Sequence, residues 1–159
     1  KFCVVGPLAR ASGVEYDVRT EDPYAAYGDF KDYFSRITST KGDTYARAEV
    51  RTLEIKESGK IIRAILDKLP GGAIKVDGSA LKLSRSIREG EAMTRVEAAR
   101  GELFYYIKTD GKDGFKRVKI RTPTLANVIC LKNLLLGLEV ADIPVVVASI
   151  DPCISCADR

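Results

Sequence analysis

The stretch DTYARAEVRTLEIKESGKIIRAILDKLPGG, residues 43–72, decides the fold. Its apolar residues Tyr45, Ala48, Leu53, Ile55, Ile62, Ile65, Leu66 and Leu69 recur at roughly helical period. Asp43 stands where an N-cap would accept backbone N–H bonds, and Pro70-Gly71-Gly72 stops the pattern. The spacing predicts one helix from Thr44 to Leu69, about 40 Å long at about 1.5 Å per residue. A helix of that length exceeds what a domain of this size needs. It points to a bundle whose other helices lie outside this chain.

The segment before it holds a string of aromatics from Pro23 to Ile37: Tyr24, Tyr27, Phe30, Tyr33 and Phe34. Spacings of three and four read as one side of a helix or an irregular packed segment, in either case an aromatic core stripe. Gly6-Pro7 and Ser12-Gly13 punctuate the first segment into loop and short helix. After the long helix, the chain is weakly patterned to about Gly90, with a short helix expected near Ser79 to Arg88. ELFYYIK (Glu102 to Lys108) and FKRVKIR (Phe115 to Arg121) are β-branched and aromatic, and the turn-forming TDGKDG joins them into an antiparallel hairpin. NVICLKNLLL (Asn127 to Leu136) reads as an apolar helix ending at Gly137, and Ala141 to Ser149 as a short apolar helix or buried segment. The expected fold is mainly α, long bundle helices with a small antiparallel β hairpin or sheet.

Composition narrows the function. At 159 residues, with 45% hydrophobic and 30% charged residues, the chain has the size and balance of one globular domain. Its net charge of +4 is spread through mixed pairs such as Lys56-Glu57 and Arg88-Glu89, without the basic runs that track a phosphate backbone, so nucleic acid is not an expected partner. Ile143 to Ile150, the longest apolar run, contains a proline and falls far short of the roughly 20 residues that span a bilayer. There is no secretory signal pattern either. The start, Lys-Phe-Cys-Val-Val, is apolar from the second residue and lacks Met, which suggests a fragment of a longer protein. Histidine is absent, which removes Ser-His-Asp triads, Cys-His proteases and metal sites that need imidazole.

The chemistry lies in the last nine residues, DPCISCADR, where Cys153 and Cys156 form a C-x-x-C pair. Such a pair can be a thioredoxin-like redox motif, half of a zinc or iron–sulfur site, or a soft-metal chelate. A redox motif opens a helix after a strand, and little chain follows this one. A closed zinc or iron–sulfur site takes about four ligands. The other two cysteines, Cys3 and Cys130, sit in apolar runs where a buried free thiol is the expectation. If the terminal pair binds metal, it supplies half a site.

That ending resembles the Asp-Pro-Cys-x-x-Cys-x-x-His/Arg motif of nickel–iron hydrogenase large subunits, in which two C-x-x-C pairs hold the Ni–Fe centre. GPLARASGVEYDVR, GDTYARAEVR with Glu54 and Ser58, RGELFYYIKTDG and KIRTPTLAN are also similar to segments of energy-converting hydrogenase large subunits. The same segments resemble their relative, the quinone-site subunit of respiratory complex I. The resemblance runs from Gly6 to Arg159, and its order and spacing carry more weight than any single motif. Complex I subunits resemble the chain throughout but lack the final cysteine pair. The retained thiols favour the Ech, formate-hydrogenlyase or carbon monoxide-linked hydrogenases.

The resemblance implies that residues 1–159 are the C-terminal portion of such a subunit. Cys153 would then be a terminal nickel thiolate and Cys156 a thiolate bridging nickel and iron. Arg100 matches the arginine that overhangs the open metal position, with Asp151 as its carboxylate partner. Thr124, with Pro123 before it, falls where the family places a hydroxyl near a diatomic ligand on iron. The plainer alternatives are that Arg100 pairs with a surface acid and that Asp151 is a turn residue.

The resemblance further implies reversible H2 oxidation and proton reduction, electron transfer to a small iron–sulfur subunit, and a cytoplasmic peripheral arm attached to membrane subunits. The first C-x-x-C pair and its neighbouring acid are missing, so this piece alone should be inactive. Arg159 stands where the family often has histidine, and it has no lone pair for a metal. Two alternatives stay open: a complex I-like quinone reductase subunit, and a non-catalytic scaffold with a free dithiol.

Overall fold

The computed structural model describes residues 3–75, 87–112 and 114–158. Its main helix, α3, runs Thr44–Lys68, and the Asp43 carboxylate accepts the Ala46 N–H at 2.7 Å, as the capping pattern requires. The helix stops at Leu69, which turns extended before Pro70 because proline excludes helical geometry from the residue ahead of it. Its buried face consists of Ala46, Arg47, Val50, Glu57, Ile61 and Ala64. The stripe picked out by periodicity lies elsewhere: Tyr45, Ile55, Ile62, Leu66 and Leu69 are all exposed.

Two short helices, α1 (Pro7–Arg10) and α2 (Val18–Glu21), lie before α3. Pro7 presets the backbone of α1, and the Asp17 carboxylate caps α2 by accepting the Arg19 N–H at 2.9 Å. The aromatic segment is the irregular packed alternative, but of its five aromatics only Phe34 is buried, a correction to the expected core stripe. One 3₁₀ turn at Lys31–Tyr33 is its only regular element among the described residues, and Tyr24, Tyr27 and Phe34 meet edge to face at 5.0 and 6.0 Å.

The β part is larger than expected. Strands β1 (Gly90–Ala98), β2 (Gly101–Thr109) and β3 (Phe115–Arg121) form an antiparallel sheet in the order β1-β2-β3. The expected hairpin is β2–β3. β1 has no counterpart in the periodicity reading, although Ala92, Thr94 and Val96 alternate with Glu91, Met93 and Arg95. "Mainly α" is therefore corrected to helices plus a three-stranded sheet. The expected helix near Ser79 to Arg88 lies largely outside the described residues.

The expected helix from Asn127 to Leu136 is two helices, α4 (Pro123–Val128) and α5 (Leu131–Leu135). α4 starts four residues early because Thr122 caps it and Pro123 supplies its first turn. It ends where the Asn127 carbonyl accepts both the Cys130 N–H at 3.3 Å and the Cys130 thiol at 2.9 Å, tightening the backbone. After a 3₁₀ turn, α6 (Ile143–Ile150) and α7 (Ile154–Ala157) complete the chain.

A charged cluster joins these layers. Arg10, only 1% exposed, donates to Glu54 on α3 at 2.7 Å, to Glu97 on β1 at 2.9 Å and to the Tyr16 carbonyl at 3.1 Å. Asp17 lies 3.4 Å from Arg10 and accepts from Arg19 at 2.6 Å. Burial alone would raise the Asp17 carboxyl, but the Arg19 and Arg10 guanidinia outweigh it and hold the group below the usual carboxylate range. Burial pushes the Glu97 carboxyl up against the pull of Arg10. A cluster fully bonded in this way fixes the angle between α1, α3 and the sheet, since each bond is lost if one element slides.

Candidate functional site

The sheet delivers Arg100. Ala98 pairs with Gly101, so Ala99 and Arg100 form a two-residue turn between β1 and β2. Backbone packing fixes that turn. Gly6 and Gly101 both have positive φ, and a Cβ on Gly6 would lie 2.4 Å from the Gly101 Cα. Only two glycines let the chains cross there. Asn127, 1% exposed, ties the crossing to α4: its Oδ1 accepts the Val5 N–H at 2.9 Å, and its Nδ2 donates to the Val5 and Arg100 carbonyls at 3.3 and 3.1 Å.

The other side of the site follows α6. Asp151 ends that helix in the left-handed conformation, φ 56° and ψ 57°, and turns the chain toward Arg100. Arg100 Nε lies 2.9 Å from Asp151 Oδ2, its Nη2 donates to Oδ1 at 3.1 Å, and Nε also reaches the Asp151 carbonyl at 3.2 Å. This two-pronged contact holds both groups in one orientation. The pair is about a third exposed, so its value is geometric more than energetic.

Beyond Pro152, the thiol turn is pinned to α4. Thr124, buried at the start of α4, accepts the Cys153 N–H on its hydroxyl at 3.3 Å, and the Thr122 hydroxyl donates to the Cys156 carbonyl at 2.7 Å. Pro123 between them is buried in the first turn of α4. Cys153 precedes α7 and Cys156 lies within it, both partly accessible. The Ser155 hydroxyl, 3.1 Å from the Cys153 sulfur, lowers that thiol to about 7, with help from Cys156 and, less, from Arg100. The thiolate is therefore easier to form than in an ordinary cysteine.

All six residues singled out from the sequence thus fall on one assembly. Arg100 binds Asp151, Thr124 binds the backbone of Cys153, Pro123 starts the helix that carries Thr124, and the two thiols sit on the turn these contacts hold. Asp151 is a turn residue, and Arg100 pairs with this partly exposed acid, as the plainer readings of both residues also have it. Among the described residues, no group of three or more His, Cys, Asp or Glu side chains is arranged to hold a metal ion. Two thiols supply at most half of the roughly four ligands that a closed metal site takes. Cys130 is buried as expected; Cys3 is exposed, a correction to its expected burial.

Thr122, Asn127 and Arg51 escaped the sequence reading. Thr-Pro after a strand is a helix-start signal that identifies Thr122. A polar residue inside an apolar run is the hint for Asn127. Arg51 donates from α3 to the Ile150 carbonyl at 2.7 Å, beside a cavity of about 340 Å³ that Glu54, Glu97, Ala99 and Asp151 also line.

Comparison with known proteins relates the chain to subunits of respiratory oxidoreductases. The chain belongs to the family of the 49-kDa subunit of respiratory-chain NADH dehydrogenase, whose model matches residues 1–159. It is 44% identical over 158 residues to the carbon monoxide-induced hydrogenase of Rhodospirillum rubrum, covering 99% of this chain and 42% of that protein. It is 40% identical to an NADH-quinone oxidoreductase subunit of Herpetosiphon aurantiacus, again over 99% and 42%. An F(420)H(2) dehydrogenase subunit of Methanosarcina mazei is 39% identical, over 98% and 42%.

A chain of the membrane-bound sulfane sulfur reductase, an archaeal respiratory membrane complex, superposes with a TM-score of 0.87 at 39% identity, covering 98% of this chain and 42% of that one. The chain thus spans about two fifths of the length of these relatives. Membership is in the family shared by complex I-type subunits and a hydrogenase, which is broader than the hydrogenase assignment the cysteine pair favoured. Among the described residues, no helix is long and apolar enough to cross a membrane.

Proposed function

We propose that the parent protein is the catalytic subunit of a membrane-associated nickel–iron hydrogenase within this family, interconverting H2 with protons and electrons. The carrying observation is the C-x-x-C pair, with Cys153 lowered to about 7, held next to the Arg100–Asp151 contact. Cys153 and Cys156 would hold the metals from this side, and the remaining ligands would come from the part of the parent outside this chain. When bound, the centre supplies the cleavage and formation of H2. Arg100 keeps a fixed positive charge at the rim of the thiol turn, and Asp151 holds its fork in one orientation. Thr122 and Thr124 keep the turn from opening, so both sulfurs present a constant spacing.

Electrons would leave to a small iron–sulfur subunit, and coupling to the membrane would run through partner subunits, with this arm on the cytoplasmic side. The exposed apolar residues of α3 support a parent whose further helices cover them. The family description and the NADH-quinone oxidoreductase relatives favour a second reading, a quinone-reducing subunit of a complex I-type enzyme in which the thiols bind no metal. Metal analysis of the full-length parent, purified anaerobically beside Cys153→Ser and Cys156→Ser, decides between them. Stoichiometric nickel that both variants lose supports the hydrogenase. A fully assembled complex without nickel that binds a quinone analogue supports the second reading.

A further inference from the structure

We propose that Arg51 is a positioning residue of this site, anchoring the last carbonyl of α6 so that Asp151 keeps its left-handed turn and stays within reach of Arg100. The proposal rests on the reading that Arg100, Asp151 and Cys153 form one site. Arg51 donates to the Ile150 carbonyl at 2.7 Å, and the next residue is Asp151 at φ 56°. The last carbonyls of a helix have no partner within it, and a cation there meets the negative end of the helix dipole. A non-glycine residue holds the left-handed region only where its surroundings fix it. Here two guanidinia do so: Arg51 grips the backbone before Asp151, and Arg100 grips its carboxylate and carbonyl.

The second observation is the state of Arg51 itself. Its Nε–H is buried without a hydrogen-bond partner, and among the described residues no carboxylate lies within ion-pair distance of it. Burial lowers the guanidinium below its ordinary value, and Asp151 is the strongest influence opposing that, ahead of Glu54. A side chain kept only for stability would avoid such a donor, since a buried apolar residue of similar volume carries no desolvation cost. Arg47, one turn earlier on α3, shows the contrast. It is satisfied by the Ser149 hydroxyl at 2.8 Å, the Gly42 carbonyl at 3.1 Å and the Thr44 hydroxyl at 2.8 Å, and serves as a clamp between α3 and α6.

The test uses the intact parent complex carrying Arg51→Gln or Arg51→Lys. Three experiments are made on each: a variant structure giving the Asp151 backbone and the Arg100–Asp151 separation, a thermal melt, and steady-state kinetics giving kcat and KM. The Gln variant is expected to keep its thermal midpoint and KM, separate Arg100 from Asp151 beyond ion-pair distance, and lose about tenfold to a hundredfold in kcat. Lys, which restores a cation near the Ile150 carbonyl, should recover part of kcat.

An Asp151 turn and kcat unchanged in the Gln variant would overturn the proposal. So would equal losses of thermal midpoint and kcat in both variants, which is the signature of a stabilising role alone. If the Gln variant does not assemble, Lys decides: reduced kcat at an unchanged midpoint supports the role, and any other result overturns it. A parent without nickel would sink the hydrogenase reading, yet the Asp151 geometry would still report on Arg51, because that measurement needs no metal.

Discussion

Replacing Asn127 by Ala should unfasten the site from the rest of the fold. The side chain is 1% exposed and makes three hydrogen bonds, to the Val5 N–H, the Val5 carbonyl and the Arg100 carbonyl. At about 1 kcal/mol per bond, with one buried N–H left unsatisfied, the loss is about 3 to 4 kcal/mol. In a parent of which this chain is about two fifths, that corresponds to a fall of about 4 to 5 °C in the thermal midpoint. Calorimetry of the full-length parent and its Asn127→Ala variant measures it. Asn127→Asp keeps an acceptor for Val5 but loses both donated bonds and places a carboxylate against two carbonyls, so it should be at least as destabilised. A loss below about 1 kcal/mol in the Ala variant would refute the reasoning, because it would mean the crossing of Val5 and Arg100 holds without this residue.

Gly6→Ala should be more damaging still, since its Cβ would lie 2.4 Å from the backbone of Gly101; the expected result is loss of soluble parent protein. In metal-free parent protein, the rate of Cys153 alkylation should reach half its maximum near pH 7, and Ser155→Ala should move that midpoint upward, as followed by mass spectrometry of the labelled peptide. Asp17 is held below the usual carboxylate range, so its contribution to stability is present above the unfolded value and lost as pH falls through the folded one. Asp17→Asn should therefore flatten the acid limb of the stability curve, and an unchanged limb in denaturant titrations between pH 2 and 5 would contradict the role given to the Arg10 cluster.

Some of this was legible in the residues. Asp43 and Pro70 bracket α3 to within one residue, because a cap and a proline act locally whatever packs around them. The stripe that flagged α3 was nonetheless the wrong guide to its inner face. Small Ala46 and Ala64 and the charged Arg47 and Glu57 are buried, and burial of charge depends on partners such as Ser149 that lie far along the chain. β1 escaped because Met93 breaks the polar register on one face, while its pairing to β2 comes from a turn, Ala99-Arg100, that carries none of the usual turn residues. The residues proposed for the site were picked out through the resemblance of DPCISCADR and RGELFYY to known segments. Their mutual contacts were not, since Arg100 and Asp151 meet only because the Gly6–Gly101 crossing and the left-handed turn aim them at each other.

The Gly6–Gly101 crossing also sets an order of events as the chain folds. It joins positions roughly a hundred residues apart, and Asn127 closes a loop of similar length back to Val5, each with a closure entropy of about 4 kcal/mol. Contacts of such long sequence separation form late, whereas the bonds that pin the thiol turn to α4, from Cys153 to Thr124 and from Thr122 to Cys156, span only about thirty residues. The two thiols can therefore be in place, open on the side that Arg100 will occupy, before the arginine arrives. The arrival of the β1–β2 turn is then the step of folding at which access to the two thiols narrows.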